Sequence, residues 1–453
     1  MPDMSTVDLP ATWADRVTQF DHYGGSRLPF GCTGASGIVQ HFVELSGADA
    51  GRSFDVVDAS GGYGSACLGA GSKVVATALA DAVATAGYVT DEVASLERSL
   101  LLARLFDVDG LFADRFPAEE YVVSGRNSGS EGMELALRLA VESRFDRRRL
   151  KAVAGAERRD LVLAFEGAWH GWSGGLLPLL NRRHYRVGLP TIAPEPFGLT
   201  VEHIPFGHAD AARDWFARNA ERVLAVVVEP VQGDAGILVP PQGYLRELAT
   251  LAADSGALLV TDEVLTFAKT GRFFAMADEQ GPIPTDITVI GKSLGMGALS
   301  TSMVISRRGL DARATGTVAT SDLRPLTCAV IRAGLDHIVA EGLLERSADL
   351  GEYLGTLLRE QLVAKFPELY TEARGEGYIH GVELTEQAAS RLGELRQRMI
   401  RAGVYVEFMS GAGRRSNGLR YLYPTMRVAP PLVANRADIE TIVDRLVSGS
   451  VTA

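Results

Sequence analysis

The chain reads as an α/β protein, with a large domain on a mostly parallel sheet covered by helices and a smaller α+β domain drawn from both termini. Three observations predict this. Short apolar runs alternate with helical stretches from Tyr121 onward, the pattern of a sheet whose strands are joined by crossover helices. The runs at 223–228, 257–261 and 287–290 are apolar but for Thr261 and Thr288, so both of their faces are expected to be buried. Polar residues stand at the C-terminal ends of these runs, the rim where open α/β sheets bind ligands.

In chain order, residues 1–75 are rich in Gly and aromatics, as in Tyr23-Gly24-Gly25 and Gly61-Gly62-Tyr63-Gly64, with a short strand at 54–58. An Ala-rich helix at 74–86 follows, then a second at 92–106 with Leu and Ala on one face. Strands are expected at 121–123, 161–165, 223–228, 257–261, 287–290 and 302–305, with helices at 130–141 and 244–255. After Pro325 one long helical stretch runs to about 366; then come an apolar stretch at 378–384, a helix at 387–402 and a closing segment at 419–446. There is no internal repeat or low-complexity linker. The expected layout is 1–75 as the N-terminal part of the small domain, 76–329 as the large domain and 330–453 as the C-terminal part of the small one.

At 453 residues the chain exceeds one ordinary core, and 46% hydrophobic with 22% charged residues is a globular composition. A net charge of -11 opposes binding to a phosphate backbone, so no nucleic-acid partner is expected. Cys32, Cys67 and Cys328 are scattered and form no CxxC, which points to a reducing compartment with neither disulfide framework nor metal site. The first fifteen residues lack the apolar core of a signal peptide, and no run reaches the length of a membrane span. The expectation is a cytoplasmic protein without a membrane partner.

Asp262-Glu263 ends one apolar run and Lys292 follows another. Taken singly, each also reads as a structural Asp or a surface Lys. A carboxylate and an amine on one rim together suit pyridoxal phosphate, whose aldehyde a lysine holds as a Schiff base and whose pyridinium nitrogen an acid partners. Asn127-Ser128-Gly129-Ser130-Glu131 lies between a strand and a helix; it reads as a phosphate cradle at a helix N-terminus or as a plain N-cap. Trp169, beside a Gly-rich turn, is placed to stack on a flat ring or to pack. Glu229 and Asp234 reach the same rim, with Glu229 either bracing loops or facing the site.

Taken together, these segments resemble the class III pyridoxal-phosphate aminotransferases, the ω-aminotransferase and glutamate-1-semialdehyde-aminomutase-like group of fold type I. The resemblance rests on Asn127-Ser128-Gly129-Ser130-Glu131, Gly167-Ala168-Trp169-His170-Gly171, Val228-Glu229-Pro230-Val231-Gln232-Gly233, Asp262-Glu263-Val264, Gly291-Lys292-Ser293-Leu294-Gly295 and Arg427-Val428-Ala429-Pro430-Pro431-Leu432. These occur in the family's order, and the resemblance covers the chain from about 58 to 446. The resemblance implies that Lys292 holds the cofactor and shuttles a proton, and that Asp262 holds the pyridinium proton. It implies that Trp169 and Val264 cover the two ring faces, with Ser128, Gly129 and Ser130 at the phosphate and His170 and Glu229 also beside the cofactor. Thr320, from Thr320-Ser321-Asp322-Leu323-Arg324-Pro325, would complete the phosphate site of a neighbouring subunit in a homodimer with shared active sites; it is chosen over Thr317, although the family's Gly-Asn pair is missing. Arg427 would bind a substrate carboxylate as a fork, with Asp234 and Tyr63 as further substrate-binding residues.

The sequence departs from the family at three places. Asp234 stands where a Glu often gates the arginine, Gly69-Ala70 where Gly-His is usual, and Leu265 where a Gln often follows the Asp-Glu-Val triplet. The resemblance therefore implies transfer of an amino group from an amino acid, glutamate first, to a ketone or aldehyde acceptor, and the departures point to a specialised biosynthetic acceptor. An aminomutase, decarboxylase or racemase shares the same first step on the same scaffold, and a non-catalytic cofactor-binding relative would have no use for both Lys292 and Asp262.

Overall fold

Strands that are apolar on both faces need cover on both faces, and the fold supplies it. The structure is a computed structural model that describes residues 28–86, 89, 93–146, 151–181, 199–310, 319–320, 322–409, 413–414, 420–421 and 424–451. Tyr23-Gly24-Gly25, residue 92, Thr317, Ser321 and Leu419 lie outside the described residues.

The central sheet has seven strands: β1 (Tyr121–Arg126), β2 (Leu161–Phe165), β3 (Thr200–Ile204), β4 (Val223–Val228), β5 (Leu258–Glu263), β6 (Ile287–Ile290) and β7 (Ser302–Arg307). Their spatial order is β3-β2-β4-β5-β6-β7-β1. All run parallel except β7, which is antiparallel to both β6 and β1. The pleat sorts side chains by alternation: Leu161, Leu163 and Phe165 join one apolar cluster with Trp215, Phe216, Leu245 and Leu248, whereas Val162 and Ala164 join another with Met133, Leu137 and Ala140. The helices Ala209–Asn219 and Tyr244–Asp254 thus supply residues to the first cluster and the helix Gly129–Glu142 to the second. All six residues of β4 are buried, each large side chain contributing roughly 1.5–3 kcal/mol.

Two smaller sheets join the chain ends. Strands Phe30–Ser36, Val39–Glu44 and Ser53–Asp58 form an antiparallel set, and Val404–Tyr405 adds to Ser53–Asp58 in parallel. The strands Tyr370–Glu376, Ile379–Leu384, Thr425–Val428 and Glu407–Met409 form a second sheet.

The structure corrects several sequence expectations. The expected single helix after Pro325 is two, Pro325–Ala340 and Leu343–Leu357, because Gly342 takes φ 56° and turns the chain between them. The helix expected at 387–402 is likewise two, Glu386–Ser390 and Leu392–Arg401, parted at Arg391. The strand expected at 257–261 runs on to Glu263, so Asp262 lies within the strand rather than after it. Strand β3 and the helix Ala209–Asn219 have no counterpart in the sequence reading. Thr-Val-Glu-His-Ile alternates weakly, and only its last residue is buried.

Candidate active site

The C-terminal ends of β1, β2, β4, β5 and β6 lie on one rim of the sheet. Beyond that rim is a cavity of ≈ 1170 Å³, closed on its far side by the segment at 63–65, by residues 405–409 and by Arg427.

Its floor is assembled by the sheet. β5 carries Asp262, only 5% exposed. One carboxylate oxygen, Oδ2, is 2.8 Å from Nδ1 of buried His170, and Oδ1 accepts from the Val264 N–H at 3.0 Å. Burial alone would lower the His170 pKa, but the Asp262 hydrogen bond and the Asp262 and Glu229 charges outweigh it and raise it. The other ring nitrogen, Nε2, is buried without a hydrogen-bond partner among the described residues. Glu229, at the end of β4, accepts from the Trp169 N–H at 3.0 Å and the Gly233 N–H at 3.1 Å. Burial lifts its carboxyl to about 7. Glu229 therefore ties the Trp169 loop to the sheet.

Lys292 follows β6 and opens the 3₁₀ turn Lys292–Gly295. Its φ of 40° is the left-handed region, which costs a residue with a Cβ roughly 1–2 kcal/mol. Such strain persists where the surroundings impose it, often at functional sites. Burial, and next the nearby Arg427, lower its amine to about 8, against the pull of Asp262, Glu229 and Asp234.

The helix Gly129–Glu142 starts at the same rim. Ser128 is its N-cap and accepts from the Glu131 N–H at 3.2 Å, so the N-cap reading of this residue holds. Gly129 and Ser130 line the cavity at the positive end of the helix dipole, where an anionic group is stabilised. Gly129 is needed for close approach, since a Cβ there would stand 2.7 Å from Val264 Cγ1.

The far wall differs in kind. Arg427, on the strand Thr425–Val428, is buried and forms an ion pair with Glu407, equally buried, on the neighbouring strand Glu407–Met409. The other Glu407 oxygen, Oε1, accepts from the Tyr63 N–H at 3.0 Å, and the Arg427 guanidinium lies 5.7 Å from the Tyr63 ring centroid. Burial lowers Arg427 to about 10, with Asp234, Tyr63 and Tyr405 opposing.

Every candidate cofactor- or substrate-binding residue named from the sequence lines this one cavity except Thr320. Thr320 is exposed and lies outside its wall. Leu265 lines the cavity where a polar side chain is usual for the resembled family. Glu407 went unnoticed in the sequence. Its signal was a single carboxylate in the run Val404-Tyr405-Val406-Glu407-Phe408-Met409, a charge in a stretch that otherwise reads as buried.

Comparison with known proteins gives the same direction throughout. The model of the family described as "Aminotransferase class-III" matches residues 49–448. A mitochondrial ornithine aminotransferase of Oryza sativa subsp. japonica is 29% identical over 306 residues, 65% of this chain and 61% of that protein; the chain thus spans about three fifths of that relative's length. Among solved structures, the ornithine aminotransferase of Toxoplasma gondii ME49 superposes with a TM-score of 0.79 at 22% identity, over 98% of this chain and 96% of that one. A thermostable (S)-enantioselective omega-transaminase of Thermomicrobium roseum gives 0.74 at 24%, over 93% and 92%. At these identities the solved structures speak for the fold, which is that of fold type I.

Proposed function

That this chain belongs to the class-III aminotransferase family is the premise from which we propose its function: transfer of an amino group from an amino-acid donor, glutamate, to a ketone or aldehyde acceptor in a specialised biosynthetic pathway. The observation that carries the reading is the meeting of Lys292 and the Asp262–His170 pair, delivered by separate strands to one cavity.

Members of the family use pyridoxal 5'-phosphate, and the residues fit it. A helix N-terminus with Gly129 and Ser130 suits the phosphate, an amine lowered to about 8 suits the aldehyde, and a buried carboxylate suits the ring nitrogen. When bound, the cofactor supplies an electron sink for the charge left as a substrate C–H bond breaks. The chain's own groups do the rest. Asp262 would hold a proton on the ring nitrogen, and His170 and the Val264 N–H fix both of its oxygens in place. The Lys292 amine would hold the cofactor and would move a proton at Nζ. Its lowered pKa leaves a large share of neutral amine near pH 8. Trp169 and Val264 line the cavity, where they would cover the faces of the ring and keep water from it. Glu229 positions Trp169 through the backbone. Arg427, with Asp234 and Tyr63 beside it, receives the donor's carboxylate.

We place Thr320 in the phosphate site of a second subunit, which would make the enzyme a homodimer with shared active sites, and we read it as cytoplasmic. No helix among the described residues is long and apolar enough to cross a membrane. On the same reading the small domain takes residues 1–75 and 330–453 and the large domain 76–329. Spectroscopy tests the reaction. The absorbance near the visible edge should vanish on adding L-glutamate and return with a carbonyl acceptor. Carbon dioxide release in place of that cycle would identify a decarboxylase. A sedimenting monomer that binds cofactor and turns over would contradict the shared site.

A further inference from the structure

Four consecutive residues, Gly61 to Gly64, have positive φ, at 57°, 56°, 57° and 79°. Left-handed backbone is ordinarily visited by single residues, and here it makes a whole turn. Three of the four are glycines, which adopt it freely, but Tyr63 carries a Cβ and is strained there. Such a conformation persists only where its surroundings impose it. Ser60 and Gly61 donate their N–H groups to Asp58 Oδ1 at 2.8 and 2.9 Å, Gly62 to Ser60 Oγ at 3.1 Å, and Tyr63 to Glu407 Oε1 at 3.0 Å. The Gly64 carbonyl accepts from Ser293 Oγ at 3.1 Å, beside Lys292. The turn thus links the end of the strand Ser53–Asp58, the small sheet and the Lys292 turn, and it presents Tyr63 to the cavity.

Against this turn packs Lys269, from the loop after β5, which is fully buried and does not line the cavity. A Cβ at Gly61 would stand 3.6 Å from its Nζ, and one at Gly64 would stand 3.9 Å from its Cε. Its backbone carbonyl accepts from the Tyr378 N–H at 2.8 Å, which fixes the root of the side chain. The amine has no hydrogen-bond partner among the described residues. A buried amine left in this way costs stability, so its charge has to be matched at longer range. Burial holds the Cys67 thiol neutral, with a pKa pushed up to about 11, so the charge that attracts the amine near neutral pH is that of Asp58. Asp58 is the carboxylate that already holds the first two N–H groups of the turn.

We propose that Lys269 is a positioning residue for recognition of the donor: its buried ammonium, facing Asp58, holds the left-handed turn in place and so fixes Tyr63 beside Arg427. The inference rests on reading the far wall as the carboxylate site, and it adds the group that keeps that wall in place. Lys269 touches neither substrate nor cofactor on this account. Removing its charge leaves Asp58 without a counter-charge and frees Tyr63 to relax from its strained conformation, away from the Arg427 guanidinium that lies 5.7 Å from its ring centroid. A lysine that only filled space would be replaced by Met with no change in how the cavity binds a carboxylate.

The test uses glutarate, a dicarboxylate that carries no amine, titrated calorimetrically into the holoenzyme. Lys269→Met keeps a long unbranched side chain and removes its charge. It should weaken glutarate binding about fivefold while the absorbance of the cofactor held at Lys292 is retained. In a Tyr63→Ala background the same substitution should weaken binding by less than about twofold, because the two residues act through one element. If Lys269→Met does not fold, Asp58→Asn keeps the acceptor for both N–H groups, removes the counter-charge, and should show the same loss with the same dependence on Tyr63. Equal losses in the two backgrounds, unchanged affinity in a folded variant, or no glutarate binding by the wild type would overturn the proposal. Because glutarate undergoes no amino transfer, this result is independent of whether the enzyme proves to be a transaminase. The absence of any donor half-reaction would overturn the functional reading instead.

Discussion

The floor and the far wall of the cavity are built in opposite ways. The floor is carried by adjacent strands of one sheet: Asp262 on β5, Glu229 after β4 and Lys292 after β6 each hang from a strand hydrogen-bonded to the next. The far wall joins pieces remote in sequence, with Tyr63 bonded to a residue 344 positions away and Arg427 paired across the small sheet. A continuous parallel sheet is stiff and buried on both faces, so it holds reacting groups at fixed spacing. The far wall has no such continuous sheet behind it: it joins two chain segments through an ion pair and one backbone hydrogen bond. On the proposed reading the chemistry falls on the sheet and the recognition of the donor on the far wall.

Substitutions at Lys292 and Asp262 should cost the most. Lys292→Ala should remove turnover, a loss of at least about 10²–10⁴-fold for the missing proton-transfer group alone, along with the Schiff-base absorbance. A variant that transaminates at near wild-type rate would place the chemistry elsewhere. Asp262→Asn should lower kcat by roughly 10²–10³-fold in both half-reactions, as expected when one preorganised charge is neutralised, with the fold retained by circular dichroism. An unchanged rate in both half-reactions would remove Asp262 from the mechanism.

On the far wall the loss should be smaller and selective. Arg427→Lys should raise KM for an amino-acid donor by roughly tenfold, about 1.4 kcal/mol, because an ammonium cannot reproduce the planar fork. Donors without a carboxylate should be affected far less. A uniform loss across both donor types with a lowered melting temperature would make Arg427 a structural residue.

At Glu229 the expected effect is on stability. Gln can accept through only one atom, so Glu229→Gln leaves one of the two bound N–H groups facing an amide and costs about 1–3 kcal/mol. Its sign with pH follows from the raised carboxyl. At about 7 in the folded chain, against about 4.3 unfolded, the group keeps its proton longer when folded. Its contribution to stability is complete below about pH 4.3 and is lost as pH rises through 7. Thermal melts from pH 5 to 8 should therefore show the gap between wild type and Glu229→Gln narrowing with pH; a constant gap would mean that Glu229 does not titrate there.

The same contrast explains what could be read from the sequence. The floor was legible because each residue sits within a local signature, an apolar run ending in a polar group, and the runs at 161–165, 223–228 and 287–290 correspond to β2, β4 and β6 residue for residue. Strand β3 escaped because an edge strand with one buried residue carries little hydrophobic pattern. Helix breaks at Gly342 and Arg391 were lost inside helix-favouring sequence. Arg427 was legible as a motif, but its partner Glu407 was not, since a pairing across a sheet leaves no spacing to read. Thr320 was placed by resemblance to a family pattern that this chain only half keeps, and its exposed position in one subunit leaves the dimer to be tested in solution.

Two lysines approach Gly64, and they make the central claim testable. A Cβ built at Gly64 would stand 3.9 Å from the Lys292 side chain and 3.9 Å from that of Lys269. Lys269 is fully buried, its amine has no hydrogen-bond partner among the described residues, and burial lowers its pKa as well. Borohydride reduction of the holoenzyme followed by peptide mapping discriminates between them. The account predicts a stable pyridoxyl adduct on the peptide carrying Lys292 and none on that carrying Lys269. An adduct on Lys269, or no covalent adduct in an enzyme that turns over, would contradict it.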